Sequence, residues 1–306
     1  MAQLGRTFAI ITACKGRLEH LKESLPRMIS QGADEVIVVD FSCPQGTSDY
    51  VASNFPSVRV VQVKGEDHFS NWRARNAGAS AASSEMLLFI DADTKLADGA
   101  IEWLSEHLPS GAYGFFDRKT SESFNLRGPK LAANQLKGLH VIPAAAFRRI
   151  GGYDQVLEGY AAGGDTDIEE RLVMAGLKRS ALDPIIVESV IEHDTASRIQ
   201  HHAHPLGTSY CAGLLYRAAK LCLLRIRMQL ELPLEVRRNL YSAAMKAATA
   251  LGSKDDRIGM NVIVDRHPVM MPRQLGYQSG TTAVTLRVEV SLRDKLAGTS
   301  ETDSGS

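Results

Sequence analysis

The chain has 306 residues, 44% hydrophobic and 23% charged, which suffices for one large α/β domain with an appended smaller unit. Its 35 basic and 35 acidic residues cancel, so no global field steers it toward nucleic acid, and a nucleic-acid partner is not expected. There is no run of about 18 apolar residues, no charged-then-apolar leader, and no C-x-x-C spacing among Cys14, Cys43, Cys211 and Cys222, so a soluble cytoplasmic chain with reduced thiols is expected.

In chain order, an apolar strand is expected over 7–12, an amphipathic helix over 18–30, a strand over 35–40 and a short helix over 47–54. An alternating strand over 58–63, an Ala-rich helix over 71–82 and a wholly apolar strand over 86–91 follow. This close alternation predicts an α/β fold with a doubly wound, mostly parallel sheet, right-handed crossovers and helices on both faces. A helix is expected over 96–108. The polar stretch 117–134, which contains Gly128 and Pro129, is long for a connection and reads as a functional loop closing over a site.

Further along, Gly163-Gly164 precede Asp165 and Asp167, and Ile168, Leu172, Val173 and Leu177 recur at helical spacing. A helix therefore starts near Asp165 and ends at Gly176, with capping as the alternative use of its two carboxylates. Residues 184–190 read as a strand leading into Glu192-His193-Asp194. Two helices over 208–230 and 234–251 carry Arg217, Lys220, Arg225, Arg227, Arg237 and Arg238; these form solvated faces, or a basic pair resting on the inner face of an anionic membrane. Apolar alternation over 260–264 and 283–290 marks two short strands, paired as a hairpin or lying at an edge, and the small polar residues 297–306 cannot bury surface and are expected to be disordered. The expected organisation is a domain over 1–204, with halves 1–95 and 96–204, then a helical extension with short strands over 205–296.

Chemistry concentrates where the apolar run Met86-Leu87-Leu88-Phe89-Ile90 ends in Asp91-Ala92-Asp93. Strand side chains alternate, so both carboxylates face one side at a strand's carboxyl end, where open α/β sheets bind ligands. Adjacent carboxylates repel unless a cation or donors lie between them. A divalent metal meets that need; capping of the following helix is the competing use.

The order of these pieces carries a resemblance. Thr12-Ala13-Cys14-Lys15-Gly16-Arg17, Val38-Val39-Asp40 with Gly46-Thr47, Ala74-Arg75-Asn76-Ala77-Gly78 and Ile90-Asp91-Ala92-Asp93 together resemble a GT-A glycosyltransferase of the family 2 type. Ile150-Gly151-Gly152-Tyr153-Asp154 and Gly163-Gly164-Asp165-Thr166-Asp167-Ile168 are similar to the acceptor-side segment of family 2 and of the family 7 galactosyltransferases. The resemblance covers roughly 7–200 and leaves 205–306 without a role.

The resemblance implies a metal-dependent, inverting transfer of a sugar from a nucleotide-diphosphate donor, UDP-linked by preference, to a hydroxyl of a glycan or glycoconjugate. It assigns Thr12, Ala13 and Arg17 to the first donor loop and Asp40 to the uracil or ribose, where a carboxylate accepts from N–H or O–H. Arg75 and Asn76 would face the nucleotide, with Arg75 meeting phosphate. Asp91 and Ala92 would lie at the ribose or a metal-bound water, while Asp93, joined by His193 from the later strand, would hold Mn²⁺ or Mg²⁺. The polar His201, His202 and His204 form a rival cluster, read as a flexible rim of the site. Asp165 is the implied catalytic base.

Where the family usually has Glu-Asp, this chain has Gly164-Asp165, which is expected to open room for a bulkier acceptor and puts the acceptor's binding mode in question. Tyr153 and Tyr160 could stack on a sugar face, with core packing the favoured reading. Two other classes compete. A haloacid dehalogenase-type phosphohydrolase also ends an apolar strand in D-x-D, but it expects Thr or Val where Lys95 stands, and its motif usually opens the chain. A non-catalytic sugar-nucleotide or glycan-binding module would keep the fold without the chemistry.

Overall fold

A computed structural model describes residues 5–116, 136, 138–192, 194–252, 255–271, 274, 276 and 279–291. The chain divides into two compact units, Met1–Leu206 and Gly207–Ser306.

In the first unit the alternation resolves into β1 (Phe8–Cys14), α1 (Leu18–Ile29), β2 (Glu35–Phe41), α2 (Thr47–Asn54), β3 (Arg59–Val63), α3 (Asn71–Ala81) and β4 (Met86–Phe89). α1 forms because Leu18, Leu21, Leu25 and Met28 recur at helical spacing and are all buried. α3 starts where Ser70 caps it, accepting from the Arg73 N–H. After β4 come β5 (Thr94–Leu96), α4 (Ala100–His107), β6 (Ala112–Phe115), β7 (His140–Pro143), α5 (Ala144–Arg149), α6 (Gly164–Met174), β8 (Lys178–Ala181), β9 (Val187–Val190) and α7 (Thr195–Ile199).

Seven strands form one sheet in the order β3-β2-β1-β4-β7-β6-β8. Neighbours from β3 to β4 run parallel, β7 runs antiparallel to both β4 and β6, and β6 and β8 are parallel. This is the mostly parallel α/β sheet that the alternation predicts. Phe8, Ile10, Val36, Val38, Leu88, Ile90 and Val141 point to one face, where Leu21 and Leu25 of α1 and Leu104 of α4 join them in the core. Across the other face lies α3, against β1 and β2, at a separation that Gly78 permits: a β-carbon there would stand 2.5 Å from Ile11 Cγ2.

The helix expected over 96–108 begins only at Ala100. Thr94–Leu96 is a strand instead, because β9 pairs with it antiparallel, Thr94 opposite Val190. That pairing comes from more than ninety positions downstream, so local pattern could not supply it. The expected loop over 117–134 lies outside the described residues.

The second unit holds α8 (Leu206–Arg227), α9 (Leu234–Thr249), β10 (Arg257–Met270) and β11 (Ser279–Ser291). The strands pair antiparallel, with Ile258 opposite Val290, Met260 opposite Val288 and Val262 opposite Leu286. They are longer than the apolar alternation alone indicates, since polar pairs such as His267 and Thr282 extend the ladder. Among the described residues no helix is long and apolar enough to cross a membrane.

Candidate active site

The carboxyl ends of β1, β2 and β4 open on one edge of the sheet, since in register Cys14 lies opposite Asp40 and Ile11 opposite Phe89. One buried ammonium ties three loops together at that edge: Lys15 Nζ donates to the carbonyls of Ser42 (3.0 Å) and Glu66 (2.6 Å). Thr12 is fully buried, and its hydroxyl oxygen has no hydrogen-bond partner. Ala13 is half-buried. Arg17 caps the start of α1 and donates to the Ser197 carbonyl at 3.0 Å.

Asp40 is buried and engaged within its own loop. Its Oδ1 accepts from the Cys43 N–H (2.8 Å), and Oδ2 from the Ser48 N–H (2.9 Å) and hydroxyl (2.5 Å). The geometry closes the β2–α2 corner, the turn-closing use of an Asp at a strand end.

Beyond β4, the Thr94 N–H donates to the Asp91 carbonyl at 3.1 Å, so Asp91 to Thr94 form a tight turn. Ala92 is buried, and its carbonyl accepts from the Ser24 hydroxyl at 2.7 Å. Asp91 pairs with Arg75 (Nη2 to Oδ1, 2.7 Å), and the Asp93 carbonyl accepts from the Ile191 N–H at 2.7 Å. The chain just ahead of His193 is thereby held against the Asp93 turn; His193 itself lies outside the described residues. Among the described residues no set of three or more His, Cys, Asp or Glu side chains is placed to hold a metal ion.

Arg75 is the hub. Its side chain is 1% exposed, donates to the Tyr153 hydroxyl at 3.2 Å and lies 3.6 Å from Asp165 Oδ1, with the rings of Trp72, Phe89 and Tyr153 about the guanidinium. A buried guanidinium needs such partners, because unpaired it would lose several kcal/mol of hydration. Asn76 holds the neighbouring segment, its amide group donating to the Tyr153 carbonyl (2.8 Å) and accepting from the Tyr153 N–H (2.9 Å). The nucleotide-facing role that the resemblance gives both residues, with phosphate for Arg75, therefore falls on side chains already engaged by protein.

Asp165 sits in the first turn of α6, and its Oδ1 is buried without a hydrogen bond. Burial pushes its carboxyl above the ordinary range, while His140 and Arg75 pull in the opposite direction. Asp167, two residues on, faces inward instead and forms a fully buried pair with Arg171 (2.6 Å), whose Nη1 donates to the Ile150 carbonyl. Arg75, Asp91 and Asp165, marked separately in the sequence, thus meet in space.

Two expectations are corrected and one alternative is resolved. The space beside Gly164 is filled by the chain itself, since a β-carbon there would lie 2.4 Å from Trp72 Cε2, so the glycine admits an indole and not a larger acceptor. Tyr153 is a core residue stacked on Trp72 (5.4 Å between centroids). His202 is not part of a loose rim, being packed against Phe69 and Tyr160 (both 5.7 Å between centroids), where burial lowers its pKa to about 4.

No sequence signal marks His140. It is fully buried at the start of β7, with Nδ1 3.3 Å from the Tyr153 hydroxyl and 3.8 Å from Asp165 Oδ1, and Nε2 3.5 Å from Glu169 Oε1. Nor does the sequence show that Cys14 and Cys43 meet. The Gly16 N–H reaches Cys43 Sγ, and the Thr47 hydroxyl reaches Cys14 Sγ, each at 3.2 Å.

A sheet of this order, with an acidic turn at the end of β4 and a carboxylate opening α6, has the GT-A architecture of nucleotide-sugar glycosyltransferases. Residues 9–161, half of the chain, match Glycosyl transferase family 2, and the chain belongs to that family; it is a glycosyltransferase. Among solved structures it is similar in fold to the mannosyltransferase PcManGT from Pyrobaculum calidifontis in complex with GDP-Man and Mn²⁺. The identity is 18% and the TM-score 0.52, over 82% of this chain and 77% of that one. S. aureus TarS 1-349 matches with 14% identity and a TM-score of 0.49, over 79% of this chain and 71% of that one. No curated protein matches the chain in sequence. Family membership removes the phosphohydrolase reading.

Proposed function

We propose that the chain is an inverting, metal-dependent transferase moving a sugar from a nucleoside-diphosphate donor to a hydroxyl acceptor, with Asp165 as general base. The observation that carries this reading is the Asp165 carboxylate, which has a hydrogen-bond-free buried oxygen and stands beside the Arg75–Asp91 pair at the carboxyl edge of the sheet. Inverting transfer needs one carboxylate to take the acceptor's hydroxyl proton as the new bond to the anomeric carbon forms and the diphosphate departs. An Asp whose pKa burial raises above the ordinary carboxylate range, with a nearby cation opposing, suits that task.

A carboxylate joined by an imidazole is donor chemistry that suits a divalent cation. Asp93 would hold it together with His193, because the Ile191 bond to Asp93 brings the approaching strand to the same turn. Such an ion supplies charge neutralisation for the departing diphosphate. Asp91 then serves Arg75 first, and through it Asp165. Thr12, Ala13, Arg17 and Asp40 frame the nucleotide side. The family resemblance favours a UDP-sugar and a glycan or glycoconjugate acceptor, while PcManGT carries GDP-Man, so both bases belong in the test.

Calorimetry of UDP and GDP with Mn²⁺, then with EDTA, tests donor and metal together. Binding of one nucleotide that EDTA abolishes and Asp93→Ala weakens is expected; affinity indifferent to EDTA refutes the metal reading. Asp165→Asn should lower sugar transfer by about 10²–10⁴-fold with nucleotide affinity retained. Transfer within about threefold of wild type would remove Asp165 from the mechanism.

A further inference from the structure

We propose that His140 is the positioning residue of the base: held in turn by Glu169, its ring pairs through Nδ1 with Asp165 Oδ1 across 3.8 Å and fixes that carboxylate in the site. The inference rests on the reading of Asp165 as the base, and adds to it a pair of residues that neither the motifs nor the fold resemblance marks.

The geometry is specific. His140 opens β7, where the sheet places it opposite both Phe89 of β4 and Phe115 of β6, so its ring is fixed by strands on each side and fully buried. Each ring nitrogen faces a carboxylate. Glu169 Oε1 stands 3.5 Å from Nε2 and Asp165 Oδ1 3.8 Å from Nδ1, with the Tyr153 hydroxyl 3.3 Å from Nδ1 as well. Pairing with both carboxylates takes a proton on each ring nitrogen. Glu169 is itself anchored, since Arg179 pairs with its other oxygen at 2.6 Å and lies over the Phe115 ring. Asp165 and Glu169 are four apart on α6, so both project toward β7. The groups facing Asp165 are thus Arg75 from α3, Asp91 after β4, His140 from β7, the Tyr153 hydroxyl and Glu169 one turn along its own helix.

These groups push in opposite directions. Burial is the largest influence and raises the Asp165 pKa, Asp91 and Glu169 add to that, and His140 and Arg75 oppose it. A general base works only while ionised, so its activity falls as pH drops through its pKa. Loss of the His140 partner should therefore move that fall to higher pH. Glu169 supplies the sharper test, because its two effects have opposite signs. As a bare negative charge it raises the Asp165 pKa, so its removal alone would lower it. As the group that orients His140 and holds its second proton, its removal weakens the pairing with Asp165 and raises the pKa.

The experiment is a pH titration of isotope-labelled aspartate carboxyl carbons by NMR on the full chain without ligand, with Asp165→Asn identifying the Asp165 signal. The expected result is an Asp165 midpoint at higher pH in both His140→Gln and Glu169→Gln than in wild type. A midpoint within about 0.2 pH unit of wild type in His140→Gln overturns the proposal. A lower midpoint in Glu169→Gln overturns it too, by showing Glu169 acting as a charge and not through the ring. If His140→Gln does not fold, Glu169→Gln carries the test, since its side chain is partly exposed. Failure of the base assignment is seen separately, as transfer that survives Asp165→Asn.

Discussion

Replacing Arg75 with Met keeps the length and apolar character of the stem and removes only the guanidinium. In the native chain that group is 1% exposed, pairs with Asp91 at 2.7 Å, donates to Tyr153 at 3.2 Å and lies 3.6 Å from Asp165. Removing one member of a buried ion pair costs about 3–5 kcal/mol, mostly from the charge left without compensation. Here the carboxylates keep 39% and 28% side-chain exposure, so water relieves part of that penalty and the expected loss is near the low end, about 3 kcal/mol. For a unit of this size each kcal/mol moves Tm by about 2–4 °C, giving a drop of about 6–12 °C at neutral pH. The pH dependence has a fixed sign. Arg75 lowers the Asp165 pKa, so its removal lets Asp165 protonate at higher pH, and protonation relieves the uncompensated charge. The gap between wild type and Arg75→Met should therefore narrow as pH falls from 8 toward 4 in calorimetric melts. A loss below about 1 kcal/mol, or a gap that stays constant with pH, would refute the hub role of Arg75.

Three further outcomes follow from the same geometry. Asp165→Asn should stabilise the protein at neutral pH, because a carboxyl whose folded pKa is raised destabilises the native state once ionised; the gain should vanish as pH falls below the unfolded value, and urea melts showing no gain at pH 8 would contradict the burial that raises it. Gly164→Ala should cost about 1–3 kcal/mol by driving a methyl into Trp72, with most of the loss recovered in a double-mutant cycle with Trp72→Leu; additive losses would mean the two do not touch. Cys43, whose pKa is held well below the usual thiol range by hydrogen bonds from Cys14, Thr47 and the Gln45 and Gly16 backbone, should be alkylated by iodoacetamide at pH 6.5 while buried Cys14 is spared, and a Cys43 rate that climbs tenfold per pH unit from 6 to 8 would show an ordinary thiol.

What could be read from the sequence follows a physical division. Elements held by their own local pattern were legible: α1 through its apolar spacing, α2 over the expected 47–54, and the parallel strands through unbroken apolar runs. β5 was not, because Thr94–Leu96 is extended only through its pairing with β9, and no local pattern encodes a partner that distant. In the candidate site, Arg75, Asp91 and Asp165 were each marked by motif, but their meeting is a tertiary fact. His140 had no mark, since one His opening an apolar strand looks like any satisfied core residue until the carboxylates on both its nitrogens are seen.

The choice between Asp165 and Asp167 shows how far helix geometry reaches unaided. Residues two apart on a helix diverge by about 200°, so only one of the two can face a given cleft. Arg171, four positions beyond Asp167, offers that carboxylate an intrahelical partner, whereas Asp165 has Glu169 at the same spacing and no such partner. The sequence thus already holds an argument for Asp167 as the structural carboxylate and Asp165 as the available one, and the buried Asp167–Arg171 pair agrees with it. Gly164 defeats that kind of reasoning. Its meaning depends on Trp72, which lies ninety-two positions earlier and fills the space that the missing side chain leaves, so a position that looks like an opening toward the acceptor is in fact where α6 is packed down on α3.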